Sequence, residues 1–470
     1  MEKKQSEFNK VFSAWDILVI AFGAMIGWGW VVSSGGWIQK GGVLGAALGF
    51  VVGGVMIFFV GLTYAELTAA MPQCGGEHVW SHRAMGPTGS FVCTWAIVLG
   101  YVGVACFEAC AFPTIISYLW PGFLKGYLYT VAGFDIYASW LIVAIIVAFC
   151  IMLINIVGAK TAAKLQTILT VIIGGAGILL IVASVINGTV DNLDGQMFAE
   201  VGGGGIVKSI LSVVLAVLFY AFVIIAVGLV MNAGAITASQ AGTGLVTADA
   251  MALAFKTSVM AKVIIVGGMC GIITSWNSFM IGGSRAIYSM AESYMIPRVF
   301  AKLHPKHKTP INALILIGIL TMLAPFAGRV MMVWICDAGN FGCCLAYCMV
   351  AISFLILRKK QPDMPRPYKV PAGRLMGGVA VLMSGFMVVM YCIPGSGGTL
   401  ILPEWGMVAA WSALGVVFFA ICKSKYRESF GSMIQLISDE DAATLLPEAD
   451  ERELDKVIDG AIDRVLARLA

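Results

Sequence analysis

Phe22-Gly23-Ala24-Met25-Ile26-Gly27-Trp28-Gly29-Trp30 lies in the middle of an apolar run over residues 14–34. About 20 apolar residues cross the ~30 Å hydrocarbon core as a helix, so the run predicts a membrane span. Its three glycines within seven residues each weaken a helix by about 1 kcal/mol relative to alanine. Such a stretch either unwinds at mid-membrane depth, where irregular backbone survives only against protein or a cavity, or packs as a glycine-lined helix contact. If it unwinds, amides freed at a half-helix N-terminus attract an anion such as a carboxylate.

The rest of the chain is the same material. Of its 470 residues 59% are hydrophobic and 12% charged, with a mean hydropathy of +0.91. Soluble domains are about 45–50% apolar and about 25% charged. So few charges cannot cover a surface in water, which excludes a cytosolic enzyme and a disordered protein. The net charge of +4 is too small to argue for nucleic acid. The expected class is an all-α polytopic membrane protein. Further spans are predicted at about 42–65, 89–119, 138–158, 163–187, 206–231, 258–281, 311–328, 331–357, 375–393 and 403–422, eleven in all. The polar stretch Met1 to Lys10 reads as no cleavable signal peptide. The twelve cysteines give no paired Cys-x-x-Cys set, and most lie in apolar runs as small hydrophobes.

Lysine and arginine mark the inside loops. Lys3, Lys4 and Lys10 place the N-terminus (1–12) inside, and Arg83, Lys160 and Lys164 mark the next loops. Arg285 to Lys308 and Arg358 to Arg374 form two longer basic loops, and Lys423, Lys425 and Arg427 leave the last span inside. The segments Asn187–Gly205 and Asn232–Ala254 both lack lysine and arginine and both read as outside, yet a single span, 206–231, lies between them. Its 26 residues reach about 39 Å, enough for one crossing and short of two. Either one charge-based assignment is wrong or the chain lacks a helix. The acidic tail, 426–470, is soluble, and Leu454, Val457, Ile458, Ala461, Ile462, Val465, Leu466 and Leu469 predict a short amphipathic helix within it.

Other strings accompany the glycine-broken first span. Tyr64-Ala65-Glu66-Leu67 leads to Pro72, Gly75-Gly76-Glu77 and Arg83-Ala84-Met85-Gly86-Pro87. Gly283-Ser284-Arg285-Ala286-Ile287-Tyr288 leads to Pro297 and Phe300-Ala301-Lys302-Leu303-His304-Pro305. Leu357-Arg358-Lys359-Lys360-Gln361-Pro362 leads to Arg366-Pro367-Tyr368-Lys369-Val370-Pro371. Together, over residues 10–425, these resemble the amino acid–polyamine–organocation superfamily of permeases. The resemblance implies a five-plus-five inverted-repeat (LeuT-like) transporter fold with two extra helices, in a transmembrane permease domain over 13–425. The first repeat would cover 13–187, an incomplete second 206–357, and the extra helices 375–422. It also implies that helix one of each repeat breaks at mid-membrane and that the two breaks form the substrate site. The family's sixth helix usually carries a Gly-Phe-Glu or Gly-Phe-Asp string, which has no match here. The missing string and the failed parity both point to an absent helix, lost around Ser212–Val214.

The expected substrate-binding residues are Gly23, Ala24, Ile26 and Gly27, whose amides would take a carboxylate, with Glu108 shaping the amine or side-chain end. Glu108 sits deep in the third span. A charge at the bilayer centre costs about 2.5–3.5 kcal/mol on insertion scales, which marks a functional candidate or a carboxylate bonded to a neighbouring helix. Asp337 in a late span, and Asp16 and Glu66 near inner span ends, are weaker candidates for coupling or gating. Some proton-coupled members carry a lysine deep in helix five; Thr170-Val171-Ile172-Ile173-Gly174 has none, and the coupling ion, proton or sodium, stays open, as do exchange and oligomeric state. His78 and His82 stand four apart without the H-E-x-x-H order of a zinc site. No cofactor or metal is expected. The expected partners are an amino acid or amine substrate and the lipid bilayer; the expected function is secondary transport across the cytoplasmic membrane, or a transport-inactive permease-derived protein if the missing helix abolishes the site. No paired acids, nucleophile–base set or metal cluster supports an enzyme.

Overall fold

The computed structural model describes residues 23–157, 159–193, 197, 217–241, 245–328, 330–396, 398–427 and 429–431. Asp16, the start of the first span, Ser212–Val214, Gly242 and the tail beyond Gly431 lie outside the described residues.

Residues 23–25 are helical, 26–28 leave the helix, and two short helices follow, α1 (Gly29–Val32) and α2 (Ser34–Gly41). The glycine-rich run is therefore a broken span. The chain turns at Gly42, whose φ of 73° favours glycine, into α3 (Val43–Ala70). At 28 residues it is about 42 Å long, enough to cross hydrocarbon and continue beyond it. Gly45, Ala46, Gly49, Phe50 and Gly53 face protein, while Val51, Val52, Val55 and Phe58 are exposed, as expected of a helix between protein and lipid.

The next helix, α4 (Glu77–Leu119), is two helices in line. Gly86 adopts φ 78° and Pro87 follows it, and a proline ring clashes with the carbonyl four residues back. Residues 77–85 thus form a separate segment ahead of the span expected at 89–119. A hairpin of β1 (Tyr127–Val131) and antiparallel β2 (Phe134–Tyr137) then turns at Ala132 and Gly133, both at positive φ, as a two-residue primed turn requires. The span reading contained no strand here. Tyr129 Oη donates to the Phe326 carbonyl at 2.7 Å, fastening the hairpin to the rest of the molecule.

The remaining helices are α5 (Ala138–Val157), α6 (Ala159–Asn187), α7 (Val217–Val230), α8 (Ala233–Ala241), α9 (Val246–Phe255), α10 (Ser258–Glu292), α11 (Ile311–Leu323), α12 (Met331–Lys360), α13 (Gly373–Cys392) and α14 (Leu402–Lys425). Among the described residues eight helices are long and apolar enough to cross a membrane, and α7 with α8 forms a further pair bent through 107°. The protein is a multi-pass, all-α membrane protein. Helix α4 packs against α10 and α12, α6 lies on α10, and α3 meets α7 and α13. Helices α6 and α7 end side by side, since the Thr189 N–H donates to the Leu229 carbonyl at 3.0 Å and Asn192 Nδ2 to the same oxygen at 2.8 Å.

The segment read as an outside loop, Asn232–Ala254, is largely helical, and much of α9 is buried. Its small residues, among them Ala248, Ala250 and Ala254, pack closely against α10. Thr247 Oγ1 donates to the Trp30 carbonyl at 2.9 Å and lies 2.6 Å from Ser34 Oγ. Helix α9 therefore closes over the half of the first span that follows the break.

Past α14 the chain turns back along the body. Tyr426 packs on Tyr294 with ring centroids 5.2 Å apart, and Phe430 on Phe419 at 5.0 Å. Gly431 donates to the Ser293 carbonyl at 2.9 Å, and its own carbonyl lies 2.7 Å from His82 Nε2.

Candidate functional site

The break of the first span lies directly on α10. A Cβ on Gly271 would stand 3.0 Å from the carbonyl oxygens of Ile26 and Gly27, and one on Gly268 would overlap the Trp28 ring. Only glycine at these two places lets the irregular backbone reach the helix. Residues Gly268, Gly271 and Ser275 recur at three and four residues, so they share one face of α10. Trp28 within the break and Trp30 just after it are 1% and 0% exposed, and keep the backbone there dry.

Glu108 of α4 approaches the same backbone from another side. It is 2% exposed, and its Oε1 lies 2.6 Å from where a Cβ on Gly27 would stand. Ser275 donates a hydrogen bond to the carboxyl group, while Oε2 has no hydrogen-bond partner among the described residues. An unpaired carboxylate oxygen in a dry site costs several kilocalories unless something supplies a donor or a cation. Tyr220 of α7 donates to the Met25 carbonyl at 3.3 Å.

Helix α6 closes the remaining side. A Cβ on Gly23 would collide with Gln166 Nε2 at 2.3 Å and Thr170 Oγ1 at 2.7 Å. Gln166 is held in turn, since its Nε2 donates to Ser278 Oγ at 3.0 Å and its Oε1 accepts from Asn277 Nδ2 at 3.1 Å. Asn155 Nδ2 of α5 donates to Asn277 Oδ1 at 2.9 Å. This buried amide chain ties α5, α6 and α10 behind the break. A satisfied polar network of this kind fixes a geometry firmly.

Of the residues expected from sequence, Gly23, Ile26, Gly27 and Glu108 come together here, with Ala24 between them and only partly buried. Gln166, Thr170, Tyr220, Gly271 and Ser275 were not singled out. The spacing of small residues on α10 was a readable signal of a close helix contact, but nothing in the sequence said that its partner is the broken span.

Glu66 and Asp337 lie elsewhere. Glu66 is 1% exposed; its carboxylate pairs with Arg358 and with Arg366 Nε at 3.0 Å, and accepts from the Val370 N–H at 2.7 Å. Arg366 also donates to the carbonyls of Pro362, Met364, Leu357 and Gln361. Glu66 thus fastens the end of α3 to the end of α12 and the loop beyond it. Asp337 hydrogen-bonds to Glu404 of α14. Both rings of the histidine pair are engaged, His78 with Ser90 Oγ at 2.8 Å and Ser293 Oγ at 2.9 Å, and His82 with Gly431.

A family described as amino acid permease matches residues 16–209, and a second of the same description matches residues 208–420. The chain is 23% identical over 433 residues to the branched-chain amino acid permease BcaP of Bacillus subtilis, covering 82% of this chain and 89% of that protein. It is 23% identical over 459 residues to the methylthioribose transporter of the same organism, covering 90% and 96%, and 25% identical over 427 residues to its aspartate-proton symporter, covering 82% and 80%. With the two matches jointly spanning nearly all of the membrane-embedded chain, this protein is a transporter of the amino acid–polyamine–organocation superfamily and not an enzyme.

Proposed function

We propose that the chain is a secondary transporter that carries an amino acid or related amine across the cytoplasmic membrane by alternating access. The observation that carries this reading is Glu108, buried against Gly27 at the break, with one carboxylate oxygen that has no partner among the described residues. An amino acid offers an ammonium group to such an oxygen and a carboxylate to backbone amides at the break, at Gly23, Ala24, Ile26 and Gly27. Glu108 holds the substrate amine or a coupling proton. Two of the similar proteins named above carry amino acids in their names, which supports the substrate class. The expected arrangement is a five-plus-five inverted repeat with both termini inside.

A second reading has its own support. Helices α6 and α7 end on the same face, so one crossing between them leaves the parity failure of the sequence in place. The two family matches also hand over at residues 208 and 209, close to Ser212–Val214. On this reading the chain has lost the sixth helix, and with it half the substrate site, and it serves binding or assembly.

Uptake of labelled amino acids and amines into proteoliposomes holding the full chain separates the two. Uptake above empty liposomes that falls at least tenfold in Glu108→Gln is the expected result. Folded, inserted protein without uptake would favour the inactive reading.

A further inference from the structure

A groove of about 290 Å³ opens where α4, α12 and α14 meet. Its walls are apolar, with Phe91 and Leu99 from α4, Leu345 from α12, and Val416 and Phe419 from α14. Trp95 and Trp411 form part of the lining as a stacked pair with centroids 4.5 Å apart. Each indole N–H donates to the other residue's carbonyl at 2.9 Å, so neither ring presents an unmet donor to the groove. Val416 is 66% exposed, so the groove lies on the outer face of the helix bundle, where lipid surrounds the protein.

The dimensions select an occupant. Along α14 the lining runs from Val408 to Phe419, about 16 Å at 1.5 Å per residue, close to the ~15 Å hydrocarbon depth of one leaflet. A 16 Å length of helix with its side chains, about 10–12 Å across, fills on the order of 1,500 Å³, several times the roughly 290 Å³ that opens here. The slot fits one hydrocarbon chain and does not fit a helix from a second copy.

Charge marks one end. Lys423 Nζ lies 5.4 Å from the centre of the Phe419 ring, one helical turn past the end of the slot. Lys425 closes the same helix and Arg427 follows it. We propose that this groove binds an anionic phospholipid, with one acyl chain along Phe91, Trp95 and Val416 and the headgroup phosphate at Lys423. Both halves of the ligand are needed, because the slot takes any acyl chain and the lysine selects the headgroup.

The test uses the full chain reconstituted in vesicles of equal parts phosphatidylcholine and phosphatidylglycerol with the same acyl chains, then extracted in mild detergent. Native mass spectrometry counts each retained lipid. Phosphatidylglycerol is expected to be retained about fivefold over phosphatidylcholine, the factor that one lysine contributes at an anionic surface. Lys423→Gln should bring the ratio back toward one without releasing all lipid. Val416→Trp, a lipid-facing change that fills the slot, should release both lipids. Equal retention of the two lipids by the unaltered chain would overturn the proposal, as would a ratio unmoved by Lys423→Gln. A dimer that Val416→Trp converts to monomer would reassign the groove to an interface between copies. The lysine variant sits outside the bundle, so it keeps the proposal falsifiable even if the tryptophan variant fails to fold.

Discussion

Glu108 and Cys74 illustrate what an environment does to a single side chain. Glu108 meets Gly27, and no larger residue fits at that position because the carboxylate already occupies the space of a Cβ. Cys74 sits between α3 and α4, outside the spans, near Arg285 and Glu292. Burial pushes its thiol up to about 11, against a smaller opposing pull from Arg285. The reactive form of cysteine is the thiolate, so at neutral pH almost none of it is present. Alkylation of the Cys74 peptide by iodoacetamide, followed by mass spectrometry, should speed up about tenfold per pH unit through pH 9 and 10, where an ordinary thiol of pKa about 8.5 has levelled off. A plateau by pH 9 would place the thiol in water.

Between elements, the Glu66 cluster joins α3 to α12 through two guanidinium groups and one backbone N–H. Removing one partner of a buried ion pair strands the other, at about 3–5 kcal/mol. Glu66→Gln should therefore lower the melting temperature of the purified protein by several degrees, and Arg358→Gln should do so less because its side chain is partly exposed. A melting temperature unchanged by Glu66→Gln would mean that the cluster carries no stability. The apolar runs made the long helices legible, because a span needs only length and hydropathy. The break at 26–28 was half legible, because glycine spacing left an unwound segment and a glycine-lined helix contact both open, and the accompanying family strings decided between them. The helix ends were not legible. Helix α10 continues to Glu292, past the end expected at residue 281, because Ile287, Met290 and Ala291 find protein to pack on. Gln166 was illegible for a related reason, since a glutamine reveals its role only through Ser278 and Asn277 on a helix more than a hundred residues away.

For the molecule as a whole, the decisive question is how many times the chain crosses. Asp191 follows α6, and Gly242 follows α8 in the sequence. With α6 and α7 ending side by side, both positions should fall on the outside. Single cysteines at Asp191→Cys and Gly242→Cys should both react with an impermeant maleimide in intact cells beyond the unaltered chain's background. If Gly242→Cys reacts only after permeabilisation, the second half is inverted relative to this assignment.

The turn that ends at Gly431 reaches two helices at once, His82 in the first segment of α4 and Ser293 just past α10. These helices also carry Glu108 and Ser275. Any load hung on the C-terminus, whether a purification tag or the chain's own acidic tail, is therefore coupled mechanically to the scaffold of the candidate site. A handle fused beyond Gly431 pulls first on this latch, and a chain shortened before Tyr426 has no latch to pull.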